Sequence, residues 1–302
     1  MGATMKNYIS VDIGGTEIKY GLLAENGAFL KTAGTPTEAE KGGSYLMEKT
    51  GRIVGSLLQT DTAGICISTA GMVDSELGKI LFANSNIPGY TGTEIKKRME
   101  EAFHIPCEVE NDVYCAGIAE YFSGAASGSS QALCLTVGTG IGGCVMVNGR
   151  ILHGVSYSAG SVGYMHMPDG RTFEEAGSVT ALVRRVAERK QENPNRWNGR
   201  KIFDCIAKQD EICIRAVDEM TDILGLGIAN ACYLFNPEVV VLGGGIMRQE
   251  AYLLPRIRAS LERCLVPAVS LKTNLCAAMH HNKAGMLGAF YHFRGKQNGG
   301  EQ

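Results

Sequence analysis

The stretch Val11-Asp12-Ile13-Gly14-Gly15-Thr16 has a second version at Thr136-Val137-Gly138-Thr139-Gly140-Ile141-Gly142-Gly143. In each, an apolar run meets a glycine turn and a second apolar run begins. Glycine removes the Cβ atoms, so backbone N–H groups can converge on an anion while the threonine hydroxyl adds a donor. Two such turns can hold one polyphosphate from both sides. Neither follows the Gly-x-x-x-x-Gly-Lys-Ser/Thr pattern of a P-loop, and neither gives Gly-x-Gly-x-x-Gly opening a helix. Residues 17–23 alternate polar and apolar, so the first turn joins two strands. Either turn alone reads equally well as an ordinary hairpin, because glycine is the default turn residue. The pairing favours phosphate.

Working outward, the same strand, turn, strand order opens both halves of the chain. The first half reads as strands over 8–13, 18–24 and 28–32, then a helix capped by Ser44 and a strand over 64–68. Thr91-Gly92-Thr93-Glu94 has a capping-box pattern and opens a helix reaching Phe103. A strand over 105–110 then runs through Glu110-Asn111-Asp112 into a helix over 112–122. Residues 123–130 are a flexible joint by composition. The second half has strands over 132–137 and 144–147, and Asn148-Gly149 as a hairpin signal before a strand over 150–153. Helices over 175–190 and 211–235, a strand over 239–242 feeding Gly243-Gly244-Gly245, and a last helix from Lys283 complete it. This is an α/β chain of two lobes, with the last helix expected to pack on the first.

The chain has 302 residues, 45% hydrophobic and 20% charged, which suffices for two cores. Lys and Arg number 29 against 31 Asp and Glu, so there is no basic excess of the kind a nucleic-acid binder shows. The ten cysteines sit mostly in apolar runs without Cys-x-x-Cys spacing and read as buried free thiols. With no signal peptide and no membrane-length apolar run, the expectation is a cytoplasmic protein without membrane or nucleic-acid partners. Residues 1–4 are either native or an expression remnant, and Gly2 lacks the Ser or Thr that myristoylation expects four positions on.

Several positions carry chemistry. Asp12, at a strand end beside the turn of Gly14, Gly15 and Thr16, can hold Mg²⁺ through water; its plain reading is a turn-forming aspartate. Lys19 can reach a phosphate or stand as a solvated strand lysine. Asp112 falls at a strand's carboxyl end and a helix N-terminus, where the dipole keeps it ionised as a base for an attacking hydroxyl, and Asn111 can bind a neighbouring hydroxyl. A simple N-cap is the alternative. Gly243, Gly244 and Gly245 allow a ring or ribose close to backbone, or serve packing alone.

The paired halves resemble the actin-like, ribonuclease H-like ATPase fold. Asp12-Ile13-Gly14-Gly15-Thr16, Glu110-Asn111-Asp112, the turn at Gly138, Thr139, Gly140 and Gly142, and Leu242-Gly243-Gly244-Gly245-Ile246 together resemble the ROK (repressor, open reading frame, kinase) sugar kinases over about residues 8–293. Asn86-Ile87-Pro88-Gly89 resembles the sugar-facing segment of that family. The resemblance implies two lobes, 1–122 joined by a C-terminal helix over 283–302, and 123–282, with a nucleotide cleft between them. It implies ATP and Mg²⁺, transfer to a sugar hydroxyl, commonly the 6-hydroxyl, and a homodimer. Asp112 would be the base, Asn86 and Asn111 sugar ligands, Glu175 the sugar-contacting glutamate, and the glycine turns the phosphate cradle.

One segment departs from the family. Many members have Gly-Glu-x-Gly-His followed by a Cys-x-Cys-Gly-x-x-Gly-Cys zinc loop, whereas this chain has Gly160-Ser161-Val162-Gly163-Tyr164 and then residues 167–175 without cysteine. No structural zinc is expected, and Ser161 and Tyr164 imply altered contacts at the sugar's anomeric and 2-position groups. Zinc-free relatives with Tyr at that place resemble kinases of β-glucosides or N-acetylmannosamine, and glucose remains open. Two other classes stay in view. A sugar-responsive repressor needs a DNA-binding module ahead of Asp12, where eleven residues stand; a sugar sensor or plain ATPase would lack transfer to sugar.

Overall fold

The computed structural model describes residues 6–297 and 299. The readings of residues 1–4, and of the end of the helix placed over 283–302, lie outside the described residues apart from Gly299. Strands are β1 (Asn7–Ile13), β2 (Glu17–Ala24), β3 (Phe29–Pro36), β4 (Thr62–Thr69), β5 (Met72–Asp74), β6 (Lys79–Phe82), β7 (Cys107–Asn111), β8 (Gln131–Val137), β9 (Ile141–Val147), β10 (Arg150–Ile151), β11 (Val239–Gly243) and β12 (Asn274–Ala277). Helices are α1 (Gly42–Leu57), α2 (Ile95–Phe103), α3 (Asp112–Ser123), α4 (Phe173–Gly177), α5 (Val179–Lys190), α6 (Gly199–Ile206), α7 (Glu211–Phe235), α8 (Glu250–Cys264), α9 (Pro267–Ser270) and α10 (Ala284–Gln297).

One sheet has the order β3-β2-β1-β4-β7 and the other β10-β9-β8-β11-β12. In each, three strands form an antiparallel meander and two more continue parallel to the central one. The repeated strand order seen in the sequence is thus a repeated topology. Packing divides the chain into two compact units. The first takes in the described residues up to Phe122, His153–Ala159 and those from Asn282 on; the second is Ser123–Leu152 with Gly160–His281. The sequence division assigned residues 153–159 to the second part, but His153 bonded to the Glu110 carboxylate and Tyr114 Oη donating to Ala159 O hold them to the first.

In the first unit both faces of the sheet are covered, which explains why all of β1 is buried. Period-two alternation sends Ile9, Val11 and Ile13 into a core with α1 and α2. Tyr8, Ser10 and Asp12 face α10. Tyr8 meets Phe290 and Phe293 edge-on at 5.1 and 5.6 Å, and Ser10 Oγ donates to Met286 O at 2.8 Å. At Gly285 a Cβ would stand 2.4 Å from the Asp12 carboxylate, so glycine is required for this close approach. The second unit builds one core, in which α7 and α8 pack with β8 and β11 around Phe173, Leu224 and Leu253.

Several helix starts differ from the sequence reading. Helix α1 begins two residues before Ser44, because Gly43 donates to Pro88 O at 2.8 Å and has backbone where a Cβ would be. Ser44 is therefore inside the helix rather than its cap. Thr91 Oγ1 accepts from Ala83 N, so the capping box at 91–94 does not form and α2 starts at Ile95. The helix read over 175–190 is two helices, broken at Ser178, whose Oγ accepts from Ala181 N. Asn148-Gly149 is a two-residue turn with φ of 48° and 78°, as that pair favours.

Two helix-interior glycines separate space from propensity. A Cβ at Gly51 meets nothing within 4 Å, whereas one at Gly288 would lie 1.7 Å from Cys115 O. Gly51→Ala is expected to stabilise by roughly 0.5–1 kcal/mol through helix propensity. Gly288→Ala is expected to destabilise by about 1–3 kcal/mol through overpacking. Thermal or urea unfolding of both variants checks the signs.

Candidate active site

Asp12 is the last residue but one of β1, with its carboxylate nearly buried. The register places Lys19 on one side of it and Ser68 on the other. Ser68 Oγ donates to Asp12 Oδ1 at 2.6 Å, and Lys19 Nζ lies 3.6 Å from Oδ2. Burial raises the Asp12 pKa, against the lowering influence of Ser68 and Lys19. Lys19 is thus an ion-pair partner of Asp12, not a solvated strand lysine. Gly14, Gly15 and Thr16 form the turn between β1 and β2, with Gly14 N donating to Glu17 O and Thr37 Oγ1 to Gly14 O.

The second carboxylate is built by the junction of β7 and α3. Asn111 Oδ1 accepts from Val113 N at 2.9 Å and Tyr114 N at 3.0 Å, so Asn111 caps α3. Its Nδ2 donates to Gly71 O at 2.8 Å and to Asp112 Oδ1 at 3.0 Å. Both amide protons and the oxygen are committed. Because the capping is done by Asn111, Asp112 Oδ2 has no hydrogen-bond partner among the described residues. Asp112 is half-buried, and its pKa is pushed up to about 6, first by burial and then by the charge of Asp12. A carboxylate so placed is ionised at neutral pH and takes a proton readily.

In the second unit Gly138-Thr139-Gly140 is the turn proper, closed by Gly138 N donating to Gly140 O. Gly142 lies inside β9 opposite Thr136. Gly243 ends β11, and Gly244, at φ 96°, brings its backbone against Val137, where a Cβ would be 2.2 Å from Val137 O. Gly138, Thr139 and Gly245 line a cavity of about 940 Å³, the scale of a cofactor pocket. Trp197, Arg184, Arg200 and Arg248 also line it, and no carboxylate does. The Val179 N–H that starts α5 donates to Gly138 O at 2.9 Å, which fixes the turn to the cavity wall.

Near that turn two adjacent glutamates diverge. Glu175 belongs to a capping box with Thr172 and is exposed, its pKa lowered by the Thr172 backbone and hydroxyl. Glu174 is half-buried and accepts from Ile141 N at 3.3 Å. A Cβ at Gly140 or Gly163 would stand 2.5 or 3.3 Å from Glu174 Oε2. Ser161 precedes a short 3-10 turn, and Tyr164 at its end is exposed. Where the zinc loop stands in the resembling family, residues 166–172 fold into a tight hairpin. His166 bridges Thr172, Met167 N donates to Arg171 O, and Gly170 takes φ 83°. Asn86 is exposed on the segment after β6.

Cys205, Asp210 and Cys213 also come close enough to share an ion. Asp210, however, caps α7 through Cys213 N and is paired with Lys190, and burial pushes the Cys213 thiol up to about 12. The group reads as a helix start. Sequence reasoning missed Glu174 and the arginines on the cavity wall. A signal for Glu174 was available, since Thr172 with Glu175 three positions on is a capping-box spacing that commits the second glutamate.

The chain is similar to known proteins over nearly its whole length. The ROK family pattern matches residues 8–296. An uncharacterized protein of Clostridium perfringens is 48% identical over 94% of this chain and 96% of its own length. A β-glucoside kinase of Listeria monocytogenes is 31% identical over 95% and 97%. The structure of a ROK family glucokinase from Streptomyces griseus, in complex with glucose and AMPPNP, superimposes with a TM-score of 0.83 at 27% identity, covering 94% of this chain and 97% of that one. With its paired sheets and a match spanning nearly its whole length, the chain belongs to the ROK family.

Proposed function

We propose that this protein is an ATP-dependent sugar kinase whose catalytic base is Asp112. The observation that carries the reading is the half-buried Asp112 carboxylate, raised to about 6 and left with a free oxygen by the Asn111 cap. The named kinases among its relatives support the reaction class, and the AMPPNP in the glucokinase complex supports a nucleotide donor. The two-lobed, cleft-forming architecture of the actin-like ATPases belongs to this reading, as do a cytoplasmic location and a homodimer. Among the described residues no helix is long and apolar enough to cross a membrane.

In the reaction Asp112 accepts the proton of the acceptor hydroxyl as its oxygen attacks the γ-phosphorus. The bond from γ-phosphorus to the bridging oxygen breaks and ADP leaves. The cavity beside Gly138, Thr139 and Gly245 suits the nucleoside, with cationic walls toward its phosphates. The turn at Gly14, Gly15 and Thr16 offers backbone donors to the same phosphates. Asp12 is a hard oxygen donor at the carboxyl end of β1, and Mg²⁺ held there through water would neutralise phosphate charge. The hairpin 166–172 closes on its own hydrogen bonds, which supports a fold built without structural zinc.

The sugar class follows from what surrounds the acceptor residues. Ser161 leaves out a carboxylate, which suits a hexose, hexosamine or β-glucoside with a substituent at the anomeric or 2-position. Glu174 rather than Glu175 is assigned the sugar-contacting role, because the capping box occupies Glu175. Asn86 and Tyr164 complete the acceptor side, and Asn111 contributes chiefly by holding Asp112 Oδ1.

A coupled ADP-release assay against glucose, cellobiose, N-acetylmannosamine, mannose and fructose tests the reading on protein carrying no stoichiometric zinc by elemental analysis. Turnover with at least one sugar is expected, and Asp112→Asn should abolish it while ATP still binds. Above about pH 6 the ionised Asp112 carries an unfavourable burial that asparagine removes, so at pH 8 the variant's Tm should be equal or higher. No response to any sugar, bound zinc, or retained turnover in Asp112→Asn would each refute its part.

Glu174→Gln should raise the sugar KM by about tenfold or more, the cost of losing one charged hydrogen bond. Glu175→Gln should leave KM unchanged and lower only stability. The reverse pattern would return the sugar role to Glu175.

A further inference from the structure

Glu110 lies directly before the Asn111-Asp112 pair, and its side chain has no solvent exposure. Its Oε1 accepts the Asn111 backbone N–H at 2.7 Å, and its Oε2 lies 2.7 Å from His153 Nε2. A buried carboxylate is tolerated only when its charge is met by donors, and removing one partner leaves it uncompensated. The second histidine nearby does not substitute. His292 Nδ1 is 3.8 Å from Glu110 Oε2, beyond hydrogen-bond range, and His292 Nε2 is buried without a partner among the described residues.

His153 begins the segment His153–Ala159, which follows β10 in the chain yet packs with the first unit. Its ring makes edge contacts with Tyr114 at 5.5 Å and Tyr157 at 5.6 Å. At the segment's far end Ala159 O accepts from Tyr114 Oη at 2.6 Å. The segment is therefore fastened at both ends, and its two anchors, Glu110 and Tyr114, are the residues on either side of Asn111-Asp112-Val113. Asn111 donates its backbone N–H to Glu110 and with its side chain holds Asp112 Oδ1.

We propose that Glu110 and His153 are positioning residues for Asp112: the buried Glu110, held by the half-buried His153, clamps the segment His153–Ala159 onto the junction of β7 and α3 and so sets the carboxylate that takes the proton. Neither residue touches the reacting atoms. The inference rests on the kinase reading for its catalytic consequence and on geometry alone for the clamp.

The test uses His153→Ala, His153→Gln and Tyr114→Phe in the full chain, with steady-state kinetics and amide hydrogen exchange over residues 107–116. His153→Ala should lower kcat by about tenfold or more, as misplacement of a reacting group does, with both KM values within about threefold. Exchange over 107–116 should rise. His153→Gln keeps a donor and should recover most of both effects. Tyr114→Phe releases only the far anchor and should lower kcat without changing KM, which decides the case if His153→Ala does not fold. Unchanged kcat in His153→Ala and Tyr114→Phe, a rise confined to the sugar KM, or a loss that His153→Gln does not repair would overturn the proposal. If the wild type phosphorylates no sugar, the kinase reading has failed, and unchanged exchange in His153→Ala would still overturn the clamp on its own.

Discussion

The first unit depends on holding two carboxylates, Asp12 and Asp112, out of bulk water and within reach of each other's charge. Parallel strands β1, β4 and β7 end on the same edge of one sheet, and side chains at their ends must project there. Keeping both acids there costs free energy, and the surroundings offset it unequally. Asp12 has Ser68 and Lys19, whereas Asp112 has only amide donors and one uncommitted oxygen. That inequality separates their chemistry. In the proposed reading the compensated acid suits a cation, and the other suits a proton.

The neighbouring features follow from this requirement. Gly285 lacks a side chain because the Asp12 carboxylate occupies its Cβ position. Asn111 gives every hydrogen bond of its side chain to the corner that holds Asp112. Glu110, buried one residue earlier, requires His153, and a seven-residue segment is drawn onto the first unit as a result.

Much of this was legible in the sequence. Local chemistry specifies glycine turns, the Asn148-Gly149 hairpin and long apolar runs, and there the strand order and the α7 bounds were readable. Helix starts were less so. Ser44 and Thr91 have capping side chains, but long-range partners decided the matter: Pro88 against Gly43, and Ala83 against Thr91. The polar clusters show the same division. Asp12 and Asp112 stood out because each follows a strand and meets a turn or helix. Glu174, His153 and the cavity arginines did not, because their partners are distant in sequence or are backbone groups. Glu174 and Glu175 are adjacent identical residues, separated only by which of them the Thr172 cap uses.

In the proposed reaction, burial and the Asp12 charge make Asp112 a proton acceptor near neutrality. The direct measurement is a carboxyl ¹³C NMR titration of Asp-labelled protein, with the Asp112 resonance identified by its loss in Asp112→Asn. Titration is expected near pH 6, shifting downward in Asp12→Asn. A midpoint at the ordinary aspartate value of about 4, unmoved by that substitution, would contradict it.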